Sequence, residues 1–252
     1  MIQKCVFLIA SLLLMAGCNY TDKPQPSDQA VASTDNSDQT IYALTCDGCN
    51  DTILVYLRLP YNGGDPDTLN ILEASKSHHV IGLPHIGDKL AIVRDLQDTT
   101  IANMVIVTEQ LRGRWCYQVY PTLRKRADME GKPHELQTAY LPDSLKEMLQ
   151  TPREYGFSIK NDQMLHTIGR QPRAATTDEE SPIEYPHLEI YNEWKIFNGR
   201  FVMLMNRTDS LGESKITASD TADFIALTPD SLILRFGDEI RGYYRQTEEG
   251  QE

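Results

Sequence analysis

Between Tyr191 and Met205 the sequence reads YNEWKIFNGRFVMLM, two alternating apolar runs joined by Asn198-Gly199. Both central residues of a two-residue hairpin turn need positive φ, which Asn and Gly tolerate, so this stretch predicts a β-hairpin. The same grammar recurs along the chain. DFIALTPDSLILRFGDEIRGYYRQ (223–246) reads as three strands joined by two tight turns, and YGFSI turns through Asn161-Asp162 into MLHTIG. LRGRWCYQV (111–119) alternates Trp115, Tyr117 and Val119 on one face. Upstream, TILVYLRL (52–59) places Ile53, Val55, Leu57 and Leu59 on one face, and LNILEA, KLAIVR and IANMVIV read as further short strands. PDSLKEMLQTP reads as a short helix, with Ser144 and Glu147 at capping-box spacing and Pro152 as its stop. The expected fold class is all-β with a minor helix. A small antiparallel barrel or sandwich covers 41–110, a β-barrel meander covers 111–246, and 247–252 is a tail.

The N-terminus places this architecture in a compartment. Lys4 precedes an apolar run from Val6 to Ala16, too short to cross a hydrocarbon core of about 30 Å. It reads as a signal peptide. LMAGC (14–18) resembles a bacterial lipobox, and the resemblance implies cleavage after residue 17 and a diacylglycerol on the Cys18 thiol. Each buried CH₂ contributes about 0.8 kcal/mol, so several acyl chains make a firm lipid anchor. Residues 18–40 are rich in Ser, Thr, Asp, Gln and Pro and read as a flexible tether. Asn19, where an Asp would favour inner-membrane retention, makes the resemblance lean toward the cell outer membrane, facing the periplasm.

The order GRW … GFSIKNDQMLHTIG … YNEWKIFNGRFVMLM … SDTADFIALTPDSLILRFGDEIRGYYR resembles the lipocalin-like domains of Bacteroidetes-type envelope lipoproteins, over roughly 111–246. Gly113 and Trp115 match the Gly-x-Trp that opens the first lipocalin strand. The resemblance implies an Arg late in the barrel packed across that Trp, a role for Arg241 or, preferably, Arg245, which shares a face with Tyr243. It implies a non-enzymatic protein that holds a small apolar ligand or presents a surface to an envelope partner. Phe157, Ile159, Trp194, Ile196, Phe201, Met203, Ile225, Leu232 and Leu234 are the residues expected to line or fill the interior. An eight-stranded barrel can be packed solid or hold one ligand, and the solid case would be a scaffold lipoprotein.

Cys46 and Cys49 flank the Asp47-Gly48 turn in TCDGCN. They are followed by a strand, so the helix dipole that activates redox cysteines is missing. A disulfide staple is the favoured reading; a zinc site would need further ligands such as His79 (or His78) and His85. A thiol or metal sensor built on this pair is the alternative function. Cys116 alternates with Trp115 and is expected to be a structural thiol. No cofactor is called for.

The net charge of −12 argues against nucleic acid, because phosphate binding needs clustered cations. The local run Arg112, Arg114, Arg124, Lys125 and Arg126 reads as a solvated rim. There is no Gly-x-Ser-x-Gly elbow, His-Glu-x-x-His helix or nucleotide fingerprint. Asp178, Glu179 and Glu180 sit in a polar loop, and His166 reads as a sheet histidine.

Overall fold

A computed structural model describes residues 37–124, 138–139, 141–169, 182–210 and 212–246. Cys18 and the leader, the carboxylates Asp178, Glu179 and Glu180, the cations Lys125 and Arg126, and the tail from 247 lie outside them.

The first sheet has six strands in the order β3-β2-β1-β5-β6-β4. They are β1 (Ile41–Thr45), β2 (Ile53–Arg58), β3 (Asp67–Asn70), β4 (Val80–Ile81), β5 (Lys89–Arg94) and β6 (Ala102–Val107), with helix α1 (Leu72–Lys76) between β3 and β4. Two expectations change here. LNILEA is a strand only to Asn70, whose side chain accepts the Leu72 N–H at 2.9 Å as the chain turns into α1. That helix returns the chain so that β4 pairs with β6 in parallel, so the sheet is mixed and not purely antiparallel. In β2 the buried face is Leu54 and Tyr56, while Ile53 is 42% exposed, the reverse of the face counted from hydrophobicity. The Tyr56 hydroxyl makes that burial affordable because it accepts a hydrogen bond from Arg94 Nη2.

Both faces of the centre of this sheet are covered, which accounts for the unbroken apolar runs in β5 and β6. Leu90, Ile92, Val105 and Val107 join Ala43, Leu54, Tyr56 and Leu69 in one cluster. The intervening Ala91 and Ile106, with Ile81, join a second cluster together with Trp115, Ile196, Phe201 and Leu227 of the following strands. The described residues from Asp38 onward form a single unit, and one core cluster joins residues of both sheets across the step from 110 to 111.

After helix α2 (Thr108–Leu111) come β7 (Gly113–Val119), the short β8 (Thr122–Leu123), helix α3 (Asp143–Gln150), β9 (Arg153–Ile159), β10 (Leu165–Ile168), the short β11 (Ile183–Glu184), β12 (Glu193–Phe197), β13 (Arg200–Thr208), β14 (Ser214–Leu227), β15 (Ser231–Phe236) and β16 (Glu239–Gln246). The eight long strands form one sheet in the order β10-β9-β7-β16-β15-β14-β13-β12, every pair antiparallel. Spatial order therefore follows chain order around a ring, the topology of an up-and-down barrel. The ring nearly closes between β10 and β12 through a Met164–Glu193 bridge and a Trp194 N–H to Gln163 carbonyl bond of 2.8 Å. β8 and β11 pair separately. Helix α3 has Pro142 as its N-cap and no side-chain capping bond, so Ser144 and Glu147 do not form the expected capping box.

The Asn198-Gly199 turn has positive φ at both residues, 48° and 80°. A side chain at position 199 would lie 2.6 Å from the Met104 sulfur of β6, so glycine also lets this hairpin press on the small sheet. Tyr42 reaches from β1 to the same place, its hydroxyl donating to the Ile196 carbonyl at 3.3 Å. The small sheet thus stoppers the barrel at the end where β12 turns into β13.

Candidate functional site at the barrel mouth

At the stoppered end, Arg245 lies over Trp115 with its guanidinium carbon 4.2 Å from the ring centroid. The guanidinium donates to three carbonyls, those of Gln110 (2.7 Å), Arg112 and Pro229. The Trp115 indole N–H donates to the Leu111 carbonyl at 2.7 Å. Gly113 has φ +125°, and any side chain there would collide with Arg245 Nη1. Gly113, Trp115 and Arg245 therefore work as one structural cap on the β6–β7 connection. Arg241 takes a different place: its guanidinium lies 4.9 Å from the Tyr117 ring and 5.4 Å from Phe236.

Above the cap the interior is filled. Ile159, Trp194, Ile196, Phe201, Leu232 and Leu234 are all buried, at 7% exposure or less. A ladder of aromatic rings runs upward from Trp194 to Phe201 (5.9 Å), Phe157 (5.7 Å), Tyr243 (5.0 Å) and Tyr117 (5.3 Å). Of the residues expected to line a ligand site, these six pack the core, and only Phe157 and Met203 reach a cavity. Ile225 sits at the irregularity where β14 shifts register against β15.

The cavity lies at the opposite end, where β7, β15 and β16 meet the turn away from the small sheet. It has a volume of about 210 Å³. Its lining on β7, β15 and β16 is Tyr117, Phe236, Arg241 and Tyr243, and Met203 of β13, Asp220 of β14, and Glu189 and Tyr191 of the segment before β12 line it as well. The segment from Pro186 to Tyr191 borders it as a strap. The Tyr155 hydroxyl donates to the Pro186 carbonyl (3.3 Å), the Tyr191 N–H donates to Thr167 Oγ1 (2.8 Å), and His187 pairs with Glu189 (3.0 Å). Glycine at 169 leaves the space that Leu188 enters.

The phenols of the mouth are hydrogen-bond donors. Burial raises the Tyr243 hydroxyl well above the usual phenol range. Burial, with Asp220 and Glu189 nearby, pushes Tyr191 up to about 12. Both stay protonated at neutral pH. Arg241 Nε and Nη2 donate to the same Glu239 oxygen at 3.1 and 2.6 Å, and the guanidinium also hydrogen-bonds the Tyr243 side chain. Sequence reading missed Tyr117, Tyr191, Asp220 and Arg241 as site residues. The available signal was phase: Arg241, Tyr243 and Arg245 alternate along β16 and so share the inward face.

Cys46 and Cys49 are free thiols, so the staple expected from their spacing is not formed in this structure. Instead Cys49 Sγ accepts the Val55 N–H at 3.2 Å and lies 3.3 Å from the Cys46 carbonyl, which fixes the β1–β2 turn by hydrogen bonds. His79 follows the turn after α1 and His85 lies in the β4–β5 loop against Asp88, 3.4 Å away. Among the described residues no three His, Cys, Asp or Glu side chains converge as metal ligands, so the Cys46–Cys49–His79–His85 set is not assembled. His166 is on the exposed face of β10. Cys116 is fully buried, and burial pushes its thiol up to about 11, with Glu154 adding to the effect. Native labelling with iodoacetamide at pH 8 is therefore expected to modify Cys46 and Cys49 and to spare Cys116 until the chain unfolds. Labelling of the pair only after reduction would establish the disulfide instead.

The fold and the cavity together define the class of protein: an eight-stranded up-and-down barrel, stoppered at one end and hollow at the other. Comparison with family models gives no match, and comparison with curated proteins gives none. Among solved structures, a lipocalin-like protein from Bacteroides thetaiotaomicron is similar at 16% identity, covering 54% of this chain and 95% of its own, with a TM-score of 0.26. No helix among the described residues is long and apolar enough to cross a membrane.

Proposed function

We propose that this chain is a lipid-anchored protein of the bacterial cell envelope whose barrel takes up a small, largely apolar ligand at its mouth, without catalysis. The observation that carries the binding part is the division of the interior: solid aromatic packing beside the small sheet, and a cavity of about 210 Å³ at the other end. That volume is below the roughly 300–1,000 Å³ of pockets for drug-sized molecules, so the ligand is small or inserts one end. The support for the anchor is the LMAGC segment and the polar stretch after Cys18.

Native mass spectrometry of the chain purified from membranes tests both parts. The expected spectrum shows a polypeptide that begins at Cys18 and carries acyl chains, with a small molecule bound one to one. A full-length, unmodified polypeptide would remove the anchor. Bare protein that takes up no apolar molecule on incubation would remove the ligand.

A further inference from the structure

The cavity is lined by charges of both signs, and they come from different walls. Arg241 projects from β16 between the Tyr117 and Phe236 rings. Asp220 comes from β14 and Glu189 from the strap, and both line the same cavity. Between the charges most of the lining is apolar or aromatic, Phe157, Met203, Phe236 and the tyrosine rings, with Thr167 and the Glu189-paired His187 as its other polar members.

Each simple ligand charge is opposed by something here. An anion would gain Arg241 but would face Asp220 and Glu189 with no positive charge of its own to offset them, in a chain of net charge −12. A cation would gain Asp220, Glu189 and the aromatic faces, but Arg241 sits on the two rings that would best receive it. A neutral apolar molecule would desolvate charged groups without replacing their hydrogen bonds. A molecule carrying both charges satisfies both walls.

Resting on the reading that the mouth is a ligand site, we propose that its ligand is a small zwitterion with an apolar body, of which an α-amino acid with a large apolar side chain is the simplest case. The carboxylate goes to the Arg241 guanidinium and the Tyr243 hydroxyl beside it, the ammonium goes to Asp220 and Glu189, and the apolar body lies against Phe157 and Met203. Charge-assisted hydrogen bonds at both ends set the preference, and the ring contacts are common to any ligand with the same body.

Calorimetric titration of the purified chain with three matched probes tests this. Phenylalanine carries both charges, 3-phenylpropionate only the carboxylate, and phenethylamine only the ammonium. Phenylalanine is expected to bind about tenfold tighter than either relative. Arg241→Gln is expected to erase its advantage over phenethylamine, and Asp220→Asn its advantage over 3-phenylpropionate. The unmutated protein decides the matter even if a variant folds poorly. Equal affinity for the three probes, or tighter binding of a singly charged one, overturns the proposal. If phenylalanine fails while the neutral dye N-phenyl-1-naphthylamine still fills the mouth, the zwitterion falls and the site stands. If neither binds, both fall.

Discussion

Gly156→Ala is expected to prevent the barrel from folding. Gly156 has φ +154° and sits in β9 opposite Cys116 of β7. A Cβ there would stand 2.9 Å from the Trp115 carbonyl carbon and 3.0 Å from Cys116 Cα, and closer still to the Trp115 oxygen. All three are backbone atoms of the neighbouring strand, so no side chain can swing aside. Either β7 and β9 separate or the backbone of both distorts, and each route breaks the ladder at the first strand pair of the ring. A loss above about 4 kcal/mol is expected, comparable to the whole stability of many domains. Urea denaturation followed by tryptophan fluorescence checks it, since Trp115 lies beside the lesion. A variant that unfolds within about 1 kcal/mol of the parent would contradict the described β7–β9 pairing.

Removing the guanidinium at the stoppered end has the next largest effect. Arg245→Met keeps much of the aliphatic stem but takes away three donors and the charge over Trp115. The carbonyls of Gln110, Arg112 and Pro229 lose their partner. Hydrogen bonds from charged donors contribute about 1.5–3 kcal/mol each when buried, and the cation–π contact about 0.5–2. Arg245 is partly exposed, so water recovers some of this, and a net loss of about 3 kcal/mol is expected. Arg245→Lys should recover only a small part, because an ammonium cannot reach three carbonyls arranged around a planar fork. Paired thermal and urea unfolding of the two variants measures both numbers. Equal stability of Lys and Arg at 245 would show that charge alone matters there.

The sequence made much of the barrel readable because its turns are local chemistry. Asn198-Gly199 predicts a hairpin from two residues, and both adopt the positive φ that the prediction needs. Alternation along β7, β9 and β16 gave the inward residues, Trp115, Phe157 and Tyr243 among them. The small sheet was harder. β5 and β6 are buried on two faces, so their alternation is lost. The buried face of β2 depends on a hydrogen bond from Arg94, which is 38 residues away. Parallel pairing of β4 follows from where α1 delivers the chain, not from the two residues of the strand.

The candidate site was legible only in part. Apolar interior positions were recognised, but pattern cannot separate a residue that fills a barrel from one that lines a cavity. The distinction depends on level along the axis, which is set by strand stagger. Phe201 is packed in the core, whereas Met203, two residues further along the same strand, lines the cavity. The polar members of the mouth, Arg241 and Asp220, read as ordinary surface charges until the strand phase is known. Glu189 belongs to a strap with no regular structure, so no periodicity marks it.

The central claim is that the barrel is hollow at one end and solid at the other. Fluorescence titration of the purified chain with N-phenyl-1-naphthylamine, beside a Met203→Trp variant whose fold is checked by circular dichroism, tests it most directly. The claim predicts one saturable site in the parent, lost when the tryptophan occupies the cavity. Unchanged saturable binding in the folded variant, or a parent that binds neither the dye nor phenylalanine, would contradict it.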